Sequence, residues 1–96
     1  MFYNKDGNII ELEDWKNMFE DNRRIRLTYL PNGYRISTVW LGLDYNFGIG
    51  SPFIFETMVF KDDSWMDLDC KRYSTEEEAI KGHKMLVKKW RKKGEK

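Results

Sequence analysis

Four side chains are placed where their chemistry would matter: Cys70, His83, Glu56 and Asp44. The chain has one cysteine and one histidine, too few for a zinc site of the usual Cys/His type. A Cys70–His83 nucleophile pair is arithmetically open, but Cys70 alternates with Met66 and Leu68. That phase turns the thiol toward the core, where it is inert. His83 falls on the apolar stripe of a helix. It is either a hydrogen-bonded core or rim imidazole, or a ligand-facing group with Glu56 or Asp44 as its carboxylate partner. Glu56 interrupts an apolar run, Phe53-Ile54-Phe55 before it and Thr57-Met58-Val59-Phe60 after it. A carboxylate there must be paired, hydrogen-bonded or protonated. Two readings stay open: a cross-strand ion pair with Arg24, Arg26, Arg35 or Arg72, or a pocket wall shared with His83.

Residues 44–52 form the second candidate. The stretch Asp-Tyr-Asn-Phe-Gly-Ile-Gly-Ser-Pro is nine residues long, more than a hairpin connection needs. Gly48-Ile49-Gly50 has neither the spacing of a phosphate-binding loop nor the Lys-Ser/Thr pair that follows one. It also lacks the third glycine and the helix of a dinucleotide fingerprint. The loop reads either as a wide turn whose Phe47 folds onto the core, or as a binding surface. In the binding reading Asp44, Tyr45, Asn46 and Phe47 make contacts, and Gly48 and Gly50 permit the backbone shape.

The third candidate is electrostatic. Lys88, Lys89, Arg91, Lys92 and Lys93 cluster at the end of the chain. They complement a helix C-terminus and equally suit nucleic acid or another acidic partner. Residues 6–21 hold six acids against one lysine, so self-association through opposite charges is a further use.

Positioning these groups requires a fold. With 96 residues the chain makes one domain, 1–96, with residues 93–96 frayed. Its 16% aromatic content supplies too much burial energy for disorder. Seventeen basic residues against sixteen acidic ones leave a net charge of +1, which argues for no global polyanion-binding character. No apolar run approaches a membrane span, and no secretory signal opens the chain. The lone cysteine fits a reducing, cytoplasmic setting. No metal or cofactor is expected.

Lys5-Asp6-Gly7-Asn8 signals a tight reversal. Leu12, Trp15 and Met18-Phe19 recur at helical steps within residues 11–21, with acids in the first turn. Residues 24–30 alternate as a strand, Pro31-Asn32-Gly33 is a hairpin loop, and residues 34–43 return. Residues 53–60 read as a central strand buried on both faces. Met66, Leu68 and Cys70 mark a fourth strand over 66–71 with one wet face. Ser74 with Glu77, or Thr75 with Glu78, offers a capping box. A helix follows with Ala79, His83, Leu86, Val87 and Trp90 on its apolar stripe and Gly94 as its stop. The expected fold is α+β: a four-stranded antiparallel meander with a short N-terminal helix and a long C-terminal helix packed on it.

Several segments resemble a small family common in phages and prophages: Asp6-Gly7-Asn8, Leu12-Glu13-Asp14-Trp15 and Met18-Phe19-Glu20. Residues 36–44 with Asn46-Phe47-Gly48, then Pro52 and residues 55–60, resemble its central signature; residues 72–79 with Gly82-His83 resemble its closing one. The family has no established biochemical activity, so the resemblance implies a genomic context and little chemistry. Its members tend to place His where this chain has Tyr45, which removes that imidazole from any enzyme reading. The resemblance implies a non-enzymatic phage accessory protein in the host cytoplasm that occupies a host protein, for example an anti-CRISPR-like inhibitor of a defence effector. Nucleic-acid binding through the C-terminal helix is the first alternative. A small-ligand binder or enzyme using Glu56, Asp44 and His83 is the second. Either a monomer or a homodimer suits these readings, with an edge strand, Trp40 or Trp65 as the pairing element.

Overall fold

The computed structural model describes residues 1–46 and 50–93. Two short strands, β1 (Phe2–Tyr3) and β2 (Ile9–Ile10), pair antiparallel and lead into helix α1 (Leu12–Asn22). Strands β3 (Arg24–Tyr29), β4 (Tyr34–Trp40), β5 (Phe55–Lys61) and β6 (Asp69–Tyr73) form an antiparallel sheet in chain order. Helix α2 (Glu76–Lys93) closes the described chain. This is the expected α+β meander with its two helices.

Local chemistry accounts for most boundaries. Asn4 Oδ1 accepts the amides of Asp6 and Asn8 at 3.0 and 2.9 Å, holding the first reversal. At Pro31-Asn32-Gly33 the hairpin closes through Leu30 N to Tyr34 O at 2.8 Å, and Gly33 takes φ +91°, a conformation glycine adopts freely. Helix α2 begins on the second of the two capping boxes. Thr75 Oγ1 accepts the Glu78 amide at 3.1 Å and donates to Glu78 Oε1 at 3.1 Å. Acids in its first turn and bases in its last follow the helix dipole. The Gly94 stop lies outside the described residues.

Two strand expectations require correction. Strand β4 ends at Trp40 instead of residue 43. The amides of both Leu41 and Gly42 turn to the Ile54 carbonyl, at 2.7 and 3.3 Å, and Gly42 takes φ +71°. Strand β6 begins at Asp69, and Met66 and Leu68 are exposed in the preceding turn. The residue that β6 sends into the core is Tyr73. Cys70 therefore stands on the opposite side of the strand, half-buried beside Met58.

Strand alternation sorts the side chains onto two faces. Ile36, Thr38 and Trp40 of β4 share one face with Phe55, Thr57 and Val59 of β5. Both helices cover that face. Leu86 and Trp90 of α2 pack on Leu30, Ile36 and Val59, and Ala79 packs among Trp40, Ile54, Phe55 and Tyr73. Helix α1 buries no residue completely; it docks its aromatic stripe at the Trp40 end. Phe2, Trp15, Phe19 and Trp40 follow one another at ring separations of 5.1, 4.9 and 6.5 Å, and Trp15 Nε1 donates to Leu41 O at 2.9 Å. The other face of the sheet carries no described element.

Candidate functional site

The bare sheet face has three cross-strand rows. Tyr29, Arg35 and Phe60 form the first; Leu27, Ser37, Met58 and Cys70 the second; Arg24, Val39, Glu56 and Arg72 the third. A β-bulge between Arg24 and Arg26 turns Ile25 toward the core and leaves Arg24 beside Val39 on the bare face. Strand β5 is thus not covered on both faces, as its apolar run led one to expect. Met58 and Phe60 are only half-buried, and the Arg35 guanidinium lies over the Phe60 ring.

The first row is built outward by the turn after β5. Arg35 donates to the carbonyls of Asp62 at 2.6 Å and Ser64 at 3.4 Å. Its guanidinium lies 4.7 Å from the Phe60 ring centroid and 5.4 Å from that of Trp65. Arg35 thereby holds Trp65 at the margin of the face, 86% exposed, across from Tyr29, which is 71% exposed. Between them runs a trough of about 400 Å³ with Leu27, Val39 and Met58 in its lining and Arg23 and Arg24 at its far end.

Glu56 stands in the third row, 7% exposed, and resolves its burial by a cross-strand ion pair: Arg72 Nε lies 3.0 Å from Oε2. Of the four arginines weighed for this role, register selects Arg72, directly opposite on β6. Cys70 Sγ lies 3.7 Å from the same oxygen. Burial and the Glu56 charge push its thiol pKa up, so the thiol stays protonated. Arg72→Ala would strand the Glu56 carboxylate and is expected to cost about 1–3 kcal/mol, whereas Glu56→Gln keeps an acceptor for Arg72 and should cost less than about 1 kcal/mol. Urea denaturation of the two variants checks that order.

His83 is on the other side of the sheet. It is 1% exposed, with Nε2 2.8 Å from Thr28 Oγ1 and Nδ1 2.7 Å from Thr38 Oγ1, which in turn lies 2.6 Å from Thr57 Oγ1. Burial, and secondarily the charge of Arg26, lowers its pKa to about 4. Glu56 and His83 therefore do not share a pocket: adjacent residues of β5, Glu56 and Thr57, point to opposite faces, and His83 belongs with Thr57. Asp44 does not join them. Its Oδ1 accepts the amides of Asn46 at 2.7 Å and Phe53 at 3.2 Å, tying the two ends of the loop together. Among the described residues no group of three or more His, Cys, Asp and Glu could hold a metal ion.

Asn46 Nδ2 donates to Ser51 O at 3.0 Å, Gly50 takes φ +70°, and Tyr45 lies under the Arg72 guanidinium at 4.9 Å. Phe47 and Gly48 lie outside the described residues. Tyr45 thus continues the bare face past Arg72, a link that sequence spacing did not reveal.

Lys88, Lys89, Arg91, Lys92 and Lys93 are all exposed on α2, on the side of the molecule away from the bare face. Two are engaged. Lys89 Nζ pairs with Asp69 Oδ2 at 2.8 Å and holds that carboxyl below its ordinary pKa, while Lys93 Nζ lies 4.9 Å from the Trp90 ring centroid. Trp40 is fully buried and so is no pairing element between copies; Trp65 is exposed. No described helix is long and apolar enough to cross a membrane.

A two-layer α+β protein with one sheet face bare is the class that this fold and surface define. No protein-family model, curated protein or solved structure matches the chain.

Proposed function

We propose that this protein is a non-enzymatic binding module that engages a macromolecule through the bare face of its sheet. The observation that carries this reading is the face itself. Half-buried Leu27, Val39, Met58 and Phe60 are spread over its three rows beneath no described element, among Arg24, Arg35, Ser37 and Glu56, and Tyr29 and Trp65 stand exposed at its margin. Apolar side chains interspersed with arginines and flanked by two exposed aromatic rings mark an interaction site. The separation of Glu56, Asp44 and His83 supports a binding role over a catalytic one, because general acid–base or nucleophilic chemistry needs its groups within reach of one another.

The resemblance to phage-borne proteins points to a host macromolecule in the bacterial cytoplasm, with inhibition of a defence effector among the uses of such binding. The working surface moves, however, from the residue 44–52 loop to the sheet, with Tyr45 at the junction. Affinity capture from bacterial lysate with tagged protein tests this, using the wild type, the pair Tyr29→Ser/Trp65→Ser and the pair Lys88→Glu/Lys92→Glu. The sheet-face pair is expected to lose the captured species and the helix pair to keep it. The reverse pattern would transfer the function to α2.

A further inference from the structure

We infer that the bare sheet face is a platform for single-stranded nucleic acid, with bases stacked at its aromatic end and phosphates held at its arginine end. This rests on the reading of that face as the working surface and adds the identity of what it takes.

Charge selects the partner. Arg23, Arg24, Arg35 and Arg72 surround the trough or lie in its rows, against a single carboxylate, Glu56, which Arg72 already neutralises. Among the described residues no carboxylate pairs with Arg23, Arg24 or Arg35. Arginine bonds phosphate in a forked, two-point geometry and stacks on planar groups. A covering protein segment of ordinary composition would leave the Arg23 and Arg24 guanidinium groups without acceptors, whereas a phosphodiester chain supplies one acceptor group per nucleotide.

The aromatic end selects a single strand over a duplex. Tyr29 and Trp65 present exposed rings on either side of the trough, and Trp65 is held in place by Arg35 and Phe60 and not by the core. Unstacked bases bind on such rings with little regard to sequence, whereas the bases of a duplex are already stacked on one another. Along β4 the aromatic row at Arg35 and the arginine row at Val39 are four residues apart, roughly 13 Å. A short oligonucleotide laid along the trough therefore reaches rings at one end and Arg23 and Arg24 at the other, over the apolar floor of Leu27 and Met58.

The test is equilibrium binding of short fluorescein-labelled oligo(dT) and oligo(U), with a duplex of equal length as competitor. Binding should be competed poorly by duplex and weaken with salt at a log–log slope of about −1.4, as two phosphate contacts, at Arg23 and Arg24, predict on a single strand. Trp65→Ala and Tyr29→Ala should each lose roughly tenfold in affinity and Trp65→Phe should lose little, since stacking needs a ring and not an indole. Arg24→Glu should flatten the salt slope. Both aromatic residues are largely exposed, so unchanged thermal unfolding of the variants will show that the loss is local. Absence of binding to either oligomer, or binding lost in Lys88→Glu/Lys92→Glu and untouched by Trp65→Ala, overturns the inference. If oligonucleotide binding fails while nuclease-resistant lysate capture still depends on Tyr29 and Trp65, the face remains the binding surface and only its ligand is wrong. If both fail, the binding reading falls with it.

Discussion

Gly82→Ala is expected to destabilise this protein by about 1–3 kcal/mol, although alanine in place of glycine within a helix ordinarily stabilises by about 1 kcal/mol. Gly82 lies inside α2 with ordinary helical backbone, so no conformational demand calls for glycine there. The reason is space. A methyl group at this position would fall on the Tyr73 ring, against its hydroxyl, Cε1 and Cζ atoms. Tyr73 cannot step aside cheaply, because it is the core residue of β6 and packs among Trp40, Ile54, Phe55 and Ala79. The alanine variant must either lift α2 from the sheet or drive the phenol off its rotamer, and both loosen the contact that closes the two layers.

A double-mutant cycle tells this steric account from a general intolerance of α2. Tyr73→Leu alone opens a cavity and costs stability. Combined with Gly82→Ala, the new methyl group occupies part of the vacated space, so the pair should cost less than the sum of its members, by about 1–2 kcal/mol. Urea denaturation of the four proteins gives the coupling directly. A neutral or stabilising Gly82→Ala would mean that the helix and β6 are less tightly apposed than the structure places them.

Much of this architecture is legible in the residues, and the illegible part has a definite physical origin. The Pro31-Asn32-Gly33 hairpin and the capped, amphipathic α2 are specified by neighbours in the chain, so composition and period are enough to find them. Strand β6 is different. Met66, Leu68 and Cys70 alternate as a strand should, but pairing with β5 begins only at Asp69, and the alternation that counts runs through Tyr73. Alternation reports which residues share a face and not whether another layer lies over it. Met58 and Phe60 read as core for that reason, and it takes the placement of both helices on one side to show them bare.

The candidate site follows the same division. That Glu56 needed pairing, hydrogen bonding or protonation was apparent from the run it interrupts, whereas the choice of an ion pair over a pocket wall, and of Arg72 among four arginines, needed the β5–β6 register. That Glu56 and His83 face apart depended on the phase of β5 relative to α2, which no local signal encodes. The helix lysines drew attention because they are contiguous in sequence. The arginines of the bare face come from α1's end, β3, β4 and β6, and only the folded sheet gathers them.

Acid is expected to weaken the fold through His83, by about 2–3 kcal/mol between about pH 7.5 and 4.5. The imidazole is 1% exposed and its pKa in the folded protein is about 4, against an ordinary 6.5. Burial is the main cause and the charge of Arg26 adds to it. The folded state thus keeps His83 neutral where the unfolded chain protonates it. The unfolded state binds more protons between these two values, so stability is fully present above about pH 6.5 and declines as pH falls toward 4. Neutral imidazole also suits its neighbours, having one donor and one acceptor for the hydroxyls of Thr28 and Thr38, either of which can rotate to match. Asp69, held below its ordinary 3.8 by Lys89, contributes with the same sign but only at lower pH. His83→Gln separates the contribution of the imidazole from that of the carboxylates in the chain. It should cost about 1–2 kcal/mol at neutral pH through poorer hydrogen bonding, and it should remove most of the decline between pH 6.5 and 4.5. Urea midpoints for both proteins across that range decide the matter. A wild-type profile that is flat, or an equal slope in His83→Gln, would show that the threonine-bound imidazole does not govern acid stability.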